Sequence, residues 1–355
     1  MSLPPSEIPS GAMRFNSDSQ KLEYWDGSQW VQVHTFSPNL ATAGDPTPGA
    51  RGIFPGGRSA PGNFMTDDME MINIASTGDA VAFGDLSTDV FEAGSCSSST
   101  RGLTIGGRTY PASTYQTAIQ MYEFSSTGSI ASFGDLASAQ VFVSAVSNQT
   151  RGVMMGGLIS SPYAGGTNNI DYVTIASSGT RSDFGELTFD YLAGLNNVSS
   201  PTRGLFAGGF APHNGAPGAP AQPSIVTNRI QYITIASTGN SQDFGDMQQN
   251  TSYNSGCSNA TRGVYAGNGA SPSTKIELVT MASLGNTVRF GDLFTGAYAL
   301  AAVSSPTRGV WGGGSGFKTD IQYINFVTEG NAVDFGNLTT GRAHQSGCSN
   351  AHGGL

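Results

Sequence analysis

The sequence predicts an all-β protein: a six-bladed β-propeller, in which six four-stranded sheets are arranged radially, preceded by a small N-terminal β-hairpin module. Three observations carry that expectation. An Arg-Gly pair recurs at Arg51, Arg101, Arg151, Arg203, Arg262 and Arg308, with gaps of 50, 50, 52, 59 and 46 residues. A second segment, written most fully as IQYITIASTG at 230–239, recurs once per repeat. Five residues after its closing glycine stands Phe83, Phe133, Phe184, Phe244, Phe290 or Phe335. No stretch keeps a helical hydrophobic period, and four short strands in roughly 50 residues is the size of one propeller blade.

Each repeat reads as strands A to D. Strand A is a small-residue run such as VFVSAVSNQ (141–149), and strand B is RGVMMGG (151–157) or its copy. The second glycine that ends B is Gly57, Gly107, Gly157, Gly209 or Gly314, with Asn268 in the fifth repeat. Asparagine is the side chain that best tolerates positive φ, so the exchange predicts a backbone requirement there. Strand C, IDYVTIAS (170–177), is apolar on both faces and suits a strand buried on both sides. An STGN-type hairpin turn leads to D, RSDFGEL (181–187). Five A runs lie between repeats, and a sixth, GRAHQSGCSNAHGGL (341–355), is left over at the C-terminus. It is expected to complete the first blade and so leave no bare sheet edge. The predicted organisation is an N-terminal module over 1–34, a Pro/Gly/Ala/Thr-rich linker over 35–45 and the propeller over 46–355.

Composition narrows the function. Only 12% of residues are charged, 49 are glycine and the net charge is −9. The lysines are Lys21, Lys275 and Lys318. Such a chain has no broad phosphate-neutralising surface, so nucleic acid is not an expected partner. No run approaches the ~20 apolar residues of a membrane helix, and the N-terminus lacks the basic end and apolar core of a secretory signal. The Gly/Ser/Thr/Asn-rich composition is that of an extracellular protein. Assembly inside a cell followed by exposure on lysis reconciles the two.

The Gly-Gly pair ending B and the aromatic in D resemble kelch repeats, with Tyr172, Tyr232 and Tyr323 at the kelch tyrosine position and phenylalanine where kelch repeats carry tryptophan. The fuller TRGxxxGG…IxYxxIASTGNxxDFGDL pattern is more similar to propeller-type repeats of tailed-phage virion proteins, over nearly all of 46–355. Residues 11–33 resemble a short segment of phage tail-fibre and related structural proteins, matched by Gly11, Arg14, Phe15, Asn16, Leu22, Glu23, Tyr24, Trp25, Asp26, Gly27 and Trp30. The resemblance implies a virion localisation and a fibre or appendage component. It also implies attachment to other virion proteins, or homo-oligomerisation, through Phe15, Tyr24, Trp25 and Trp30. Two alternatives stand beside that reading: a purely architectural decoration of capsid, neck or tail, and a propeller enzyme acting on surface polysaccharide.

Most of the candidate site residues have a structural role to fill. The acid after Phe-Gly precedes the next arginine by 16 or 17 residues in Asp85–Arg101, Asp135–Arg151, Glu186–Arg203, Asp246–Arg262 and Asp292–Arg308. Where Asn337 replaces the acid the arginine is also missing, so these pairs are expected to be structural ion pairs between blades. Cys96, Cys257 and Cys348 share one repeat position with Val146, Val198 and Val303, which makes them small buried hydrophobes. The histidines (His34, His213, His344, His352) share no ligand spacing, and no nucleophile, metal or phosphate motif appears. No catalytic residue, metal or cofactor is therefore expected; Asp67 and Asp68 form only a loop acid pair. The B–C loops vary in length on a constant frame, which is where binding usually sits. Phe64, Tyr110, Tyr115, Tyr163, Phe210, His213 and Phe317 on those loops are the candidate contacts to a host-surface glycan or protein.

Overall fold

The computed structural model describes residues 9–16, 21–32, 50–59, 64–128, 130–159, 166–179, 181–191, 197–211, 225–269 and 273–355. The chain divides into two compact units, 1–40 and 41–355. The predicted linker 35–45 lies outside the described residues.

The first unit is a three-stranded antiparallel sheet, Met13–Asn16, Lys21–Trp25 and Trp30–Gln32. Cross-strand register sorts its side chains. Met13 faces Tyr24, Phe15 faces Leu22 and Tyr24 faces Val31, so one face is wholly apolar. Met13 and Phe15 are 62% and 67% exposed there. The opposite face is self-satisfied. Arg14 pairs with Glu23 at 2.8 Å and lies 4.2 Å over the Trp30 ring, which meets Trp25 edge-on at 5.5 Å.

The second unit is all-β. Its described residues form six four-stranded antiparallel sheets in the order A-B-C-D. Sheet 2 shows the pattern, with A at Gly94–Ser97, B at Arg101–Ile105, C at Gln116–Glu123 and D at Ile130–Gln140. Sheet 3 begins at Ser144, sheet 4 at Val198, sheet 5 at Ser255 and sheet 6 at Ala301. Sheet 1 joins the two ends of the unit. Its B, C and D strands are Arg51–Pro55, Asp68–Asn73 and Val81–Asp85, and its A strand is Cys348–Ser349, with Cys348 opposite Ile53.

Consecutive sheets are joined the same way each time. Six buried apolar clusters lie between sheets 1 and 2, 2 and 3, 3 and 4, 4 and 5, 5 and 6, and 6 and 1. The last brings Val310, Ile321 and Phe335 against Phe54, Ile72 and Ile74. The repeated glycines are explained by these contacts. In five repeats the glycine of Arg-Gly receives the A-strand valine or cysteine of the preceding sheet: Gly152 faces Cys96, Gly204 faces Val146, Gly263 faces Val198, Gly309 faces Cys257 and Gly52 faces Val303, whereas Gly102 faces Tyr122 of its own sheet. The glycine of Phe-Gly lies against the C–D turn of the following sheet. There the turn glycine donates to the phenylalanine carbonyl, as from Gly128 to Phe83 (2.9 Å) and from Gly78 to Phe335 (2.8 Å). The invariant five-residue interval thus sets an inter-sheet contact as well as a hairpin. Asn268 departs from expectation. It is absent from the positive-φ residues, and its side chain instead donates to the Asn250 carbonyl at 3.1 Å.

Candidate binding face

None of the five expected acid–arginine pairs forms an ion pair. Register explains why. Arg101 opens strand B opposite Glu123 at the last residue of C, whereas Asp135 sits on D opposite Ala118 near the start of C. Arginines and acids therefore stand at opposite ends of their sheets. The arginines instead reach carbonyls that end strand C of the following sheet. Arg101 donates to Ile175 and Ala176, Arg151 to Ile235 and Ala236, Arg203 to Met281 and Arg262 to Phe326. Arg51 reaches Phe124, and Arg308 reaches Ile74 and Ala75 of sheet 1 at 3.0 Å each. Arg151, Arg203 and Arg308 also lie over Tyr172, Tyr232 and Tyr323 of their own sheets, at 4.7, 5.0 and 4.7 Å. Asp292 is occupied by Arg289 and Thr274. Arg308→Met is accordingly expected to cost about 1–2 kcal/mol in urea unfolding, and Asp292→Asn less than about 0.5 kcal/mol. Equal losses would restore the ion-pair reading.

At the Arg-Gly end, the six A strands line one cavity of about 40 Å³. Serines from each strand bond in series. Ser97 Oγ donates to the Ser349 carbonyl (2.8 Å), Ser349 to Ser304 (2.7 Å), Ser304 to Ser258 (2.8 Å), Ser258 to Ser199 (2.8 Å) and Ser147 to Ser97 (2.8 Å). Between Ser199 and Ser147 the bridge is His352, 3.3 and 3.2 Å from their hydroxyls. Cys96, Cys257 and Cys348 are buried in this wall, and burial pushes the thiols up, Cys348 to about 12. Burial lowers His352 to about 4. A base held below its ordinary value of 6.5 stabilises the fold fully above that pH, and the contribution is lost as pH falls toward 4. His344, also near 4, acts in the same sense. Glu92, raised to about 7, acts oppositely, losing its contribution as pH rises from 4.5 through 7. The unfolding free energy is expected to fall between pH 6.5 and 4, and His352→Gln should flatten that slope by up to about 3 kcal/mol. An unchanged slope would place the protonation elsewhere.

The B–C loop end carries the candidate contacts, and the structure divides them. Phe64 and Tyr110 are 62% and 51% exposed. Tyr115 and Phe210 pack against Val141, Phe142, Leu158 and Ala299, with Phe210 edge-on to Tyr253 at 5.6 Å. Phe317 is half-buried at φ 55°. Tyr163 and His213 lie outside the described residues. Asp67, Asp68 and Asp85 bring carboxylate oxygens within 4.8 Å of one another, all exposed.

In five repeats the position four residues before the Cys/Val site turns inward at this end; in the fourth it lies outside the described residues. Glu92, Phe142, Tyr253, Ala299 and His344 occupy it with φ of 52–58°, a conformation uncommon for non-glycine residues. Their backbones bond in series: Phe142 N to Glu92 O (2.8 Å), Glu92 N to His344 O (3.0 Å), His344 N to Ala299 O (3.1 Å) and Ala299 N to Tyr253 O (3.0 Å). Most of these side chains are aromatic or small, but Glu92 and His344 are ionisable. Glu92, its side chain 3% exposed, meets Arg108 through two contacts of 2.8 and 3.1 Å. Burial raises its carboxyl to about 7 against the pull of Arg108 and Arg58. His344 Nδ1 is 3.6 Å from Glu92, and burial followed by the two arginines lowers it. Arg58 and Arg108 both stand over the Phe91 ring, at 5.4 and 4.5 Å. Sequence reasoning passed over this cluster. The signal lay in the repeat alignment, where the residue after Gly-Gly is arginine in the first two repeats and Leu158 or Phe210 in the next two. No known protein family and no curated protein matches the chain.

Proposed function

We propose that the chain is a non-enzymatic structural protein of a tailed-phage virion, a fibre or appendage component. In this reading residues 46–355 form a closed six-bladed, kelch-like propeller. Its B–C loop face meets a host-surface or virion-protein partner, and the N-terminal sheet attaches it to the particle, alone or as a homo-oligomer. Closure rests on the sixth-to-first contacts: Arg308 to Ile74 and Ala75, Gly78 to Phe335, and Ser349 to Ser304. The observation that carries a display role is the division of labour between the two ends. The cavity at the Arg-Gly end is about 40 Å³, far below the ~300 Å³ of a small-ligand pocket, and its serines bond to one another. The loop end carries the exposed aromatics and the arginine cluster. Attachment through the first unit is supported by its apolar face of Met13, Phe15, Leu22 and Tyr24. Many copies on one particle would turn weak single contacts into firm adhesion. Immunogold imaging of purified particles with an antibody to this chain tests the reading: labelled appendages are expected, and unlabelled particles would overturn it.

A further inference from the structure

We propose that Arg58 and Arg108 form a receptor on the loop face for the carboxylate of an acidic sugar; the inference deepens the display reading and rests on it. The first argument is position. The residue after the Gly-Gly pair is Leu158 in sheet 3, 3% exposed, and Phe210 in sheet 4, packed on the same apolar cluster. Packing at this position is therefore met by hydrocarbon. Sheets 1 and 2 carry guanidinium groups there instead, a substitution that costs stability unless the charges are partnered.

The second argument is charge balance. Glu92 is committed to Arg108 by two contacts. The Arg58 side chain has no carboxylate within ion-pairing distance and no hydrogen-bond partner among the described residues, and its Nε is shielded from solvent. Its guanidinium lies over the Phe91 ring, which it shares with Arg108. Two guanidinium groups thus face one carboxylate, and the cluster is one anion short. A monoanion balances it, whereas a phosphate dianion would bring a second negative charge against Glu92. The planar fork of arginine matches a carboxylate through two parallel N–H donors. The third argument is the surroundings. Tyr115 pairs across a β-bridge with Arg108, Tyr110 stands exposed two residues on, and Tyr253 lies edge-on to His344 at 5.6 Å. Aromatic rings beside an arginine fork suit a pyranose ring bearing a carboxylate.

Calorimetric titration of the full chain with glucuronate and with N-acetylneuraminate, beside glucose and inorganic phosphate, tests the assignment. At least one acidic sugar is expected to bind saturably, more weakly as salt rises, and glucose not at all. Arg58→Gln should weaken binding by about tenfold or more, Arg58→Lys less, and Arg289→Gln, on an exposed side chain, not at all. Thermal unfolding of each variant guards against misfolding, and Arg58→Lys, which keeps the charge and loses the fork, decides the matter should Arg58→Gln unfold. Equal binding by the Arg58 variants, equal binding of glucose, tighter binding of phosphate, or no saturable binding of either acidic sugar would each overturn the proposal. Its failure is separable from that of the display reading. Labelled particles whose chain binds host cells equally with Arg58→Gln and in excess glucuronate would refute the receptor alone. Glucuronate binding by a chain missing from particles would refute display alone.

Discussion

Deletion of residues 347–355 is expected to abolish cooperative folding of the second unit. The segment supplies the A strand of sheet 1, and without it Ile53 and Gly52 lose their strand partner and strand B becomes an open edge. The loss spreads to both neighbours. Ser349 donates to the Ser304 carbonyl of sheet 6 and accepts from Ser97 of sheet 2, while Cys348 meets Tyr122 of sheet 2 at 2.9 Å. Asn350 accepts from the Arg51 backbone at 2.8 Å, and Ala351 is part of the apolar cluster between sheets 6 and 1. His352 goes as well, leaving Ser147 and Ser199 without their bridge. At about 1 kcal/mol per net hydrogen bond plus the buried apolar groups, the loss reaches roughly 5 kcal/mol or more, the scale of a whole domain's stability. Deleting Gly353–Leu355 alone keeps the strand and His352, and should cost much less. Urea unfolding with size-exclusion chromatography reads the difference. A 347–355 deletion that keeps the elution volume of the full chain with an unshifted midpoint would mean that the C-terminal strand is an ornament.

The repeat was legible because inter-sheet contacts are periodic, and periodic contacts write themselves into sequence. Every glycine of Phe-Gly, and every glycine of Arg-Gly except Gly102, answers to a neighbour in the adjacent sheet, so each recurs without fail. The valine-for-cysteine exchange was legible for the same reason: Cys96 and Val146 fill equivalent spaces above Gly152 and Gly204. The arginine partners were not. Spacing along the chain gives repeat position but not the end of the sheet at which a side chain emerges, and backbone carbonyls, which accept these arginines, leave no mark in sequence. The missing arginine of the last repeat has another origin. Gly353 stands where a seventh arginine would, in the tail beneath the serines, and a Cβ there would meet the Asn259 and Ser199 backbones. The Arg58–Arg108–Glu92 cluster was hidden because it breaks the repeat, and pattern-seeking discards what occurs only twice. The loop aromatics looked alike in sequence, yet Tyr115 and Phe210 turned inward while Phe64 and Tyr110 did not. That choice depends on which neighbours the loops meet, and periodicity carries no record of it.

Gly336→Ala is expected to destabilise the second unit by about 3 kcal/mol or more, and Gly78→Ala by about 1–2 kcal/mol. The two glycines face each other across the sixth-to-first contact, Gly336 with φ of 150° and Gly78 with φ of 156°, where side chains are rarely found. Backbone strain is therefore common to both substitutions. What differs is space. A Cβ on Gly78 meets nothing within 4 Å, whereas one on Gly336 stands 2.5 Å from the Gly78 carbonyl carbon and 2.9 Å from the Asp79 nitrogen. Those are backbone atoms and cannot swing aside. Relief requires sheets 6 and 1 to part, which weakens the bonds from Gly78 to the Phe335 carbonyl and from Ala80 to the Asn337 carbonyl, both 2.8 Å. The excess cost of Gly336→Ala over Gly78→Ala thus isolates contact between the last sheet and the first. The internal standard is Gly185→Ala beside Gly239→Ala. These repeat the geometry between sheets 3 and 4, with a Cβ on Gly185 2.6 Å from the Gly239 carbonyl carbon and open space at Gly239. In a closed ring the two excess costs agree. In an open array the sheet 3–4 pair keeps its excess while Gly336→Ala falls to the cost of Gly78→Ala, because sheets 6 and 1 would be free ends with nothing between them to collide.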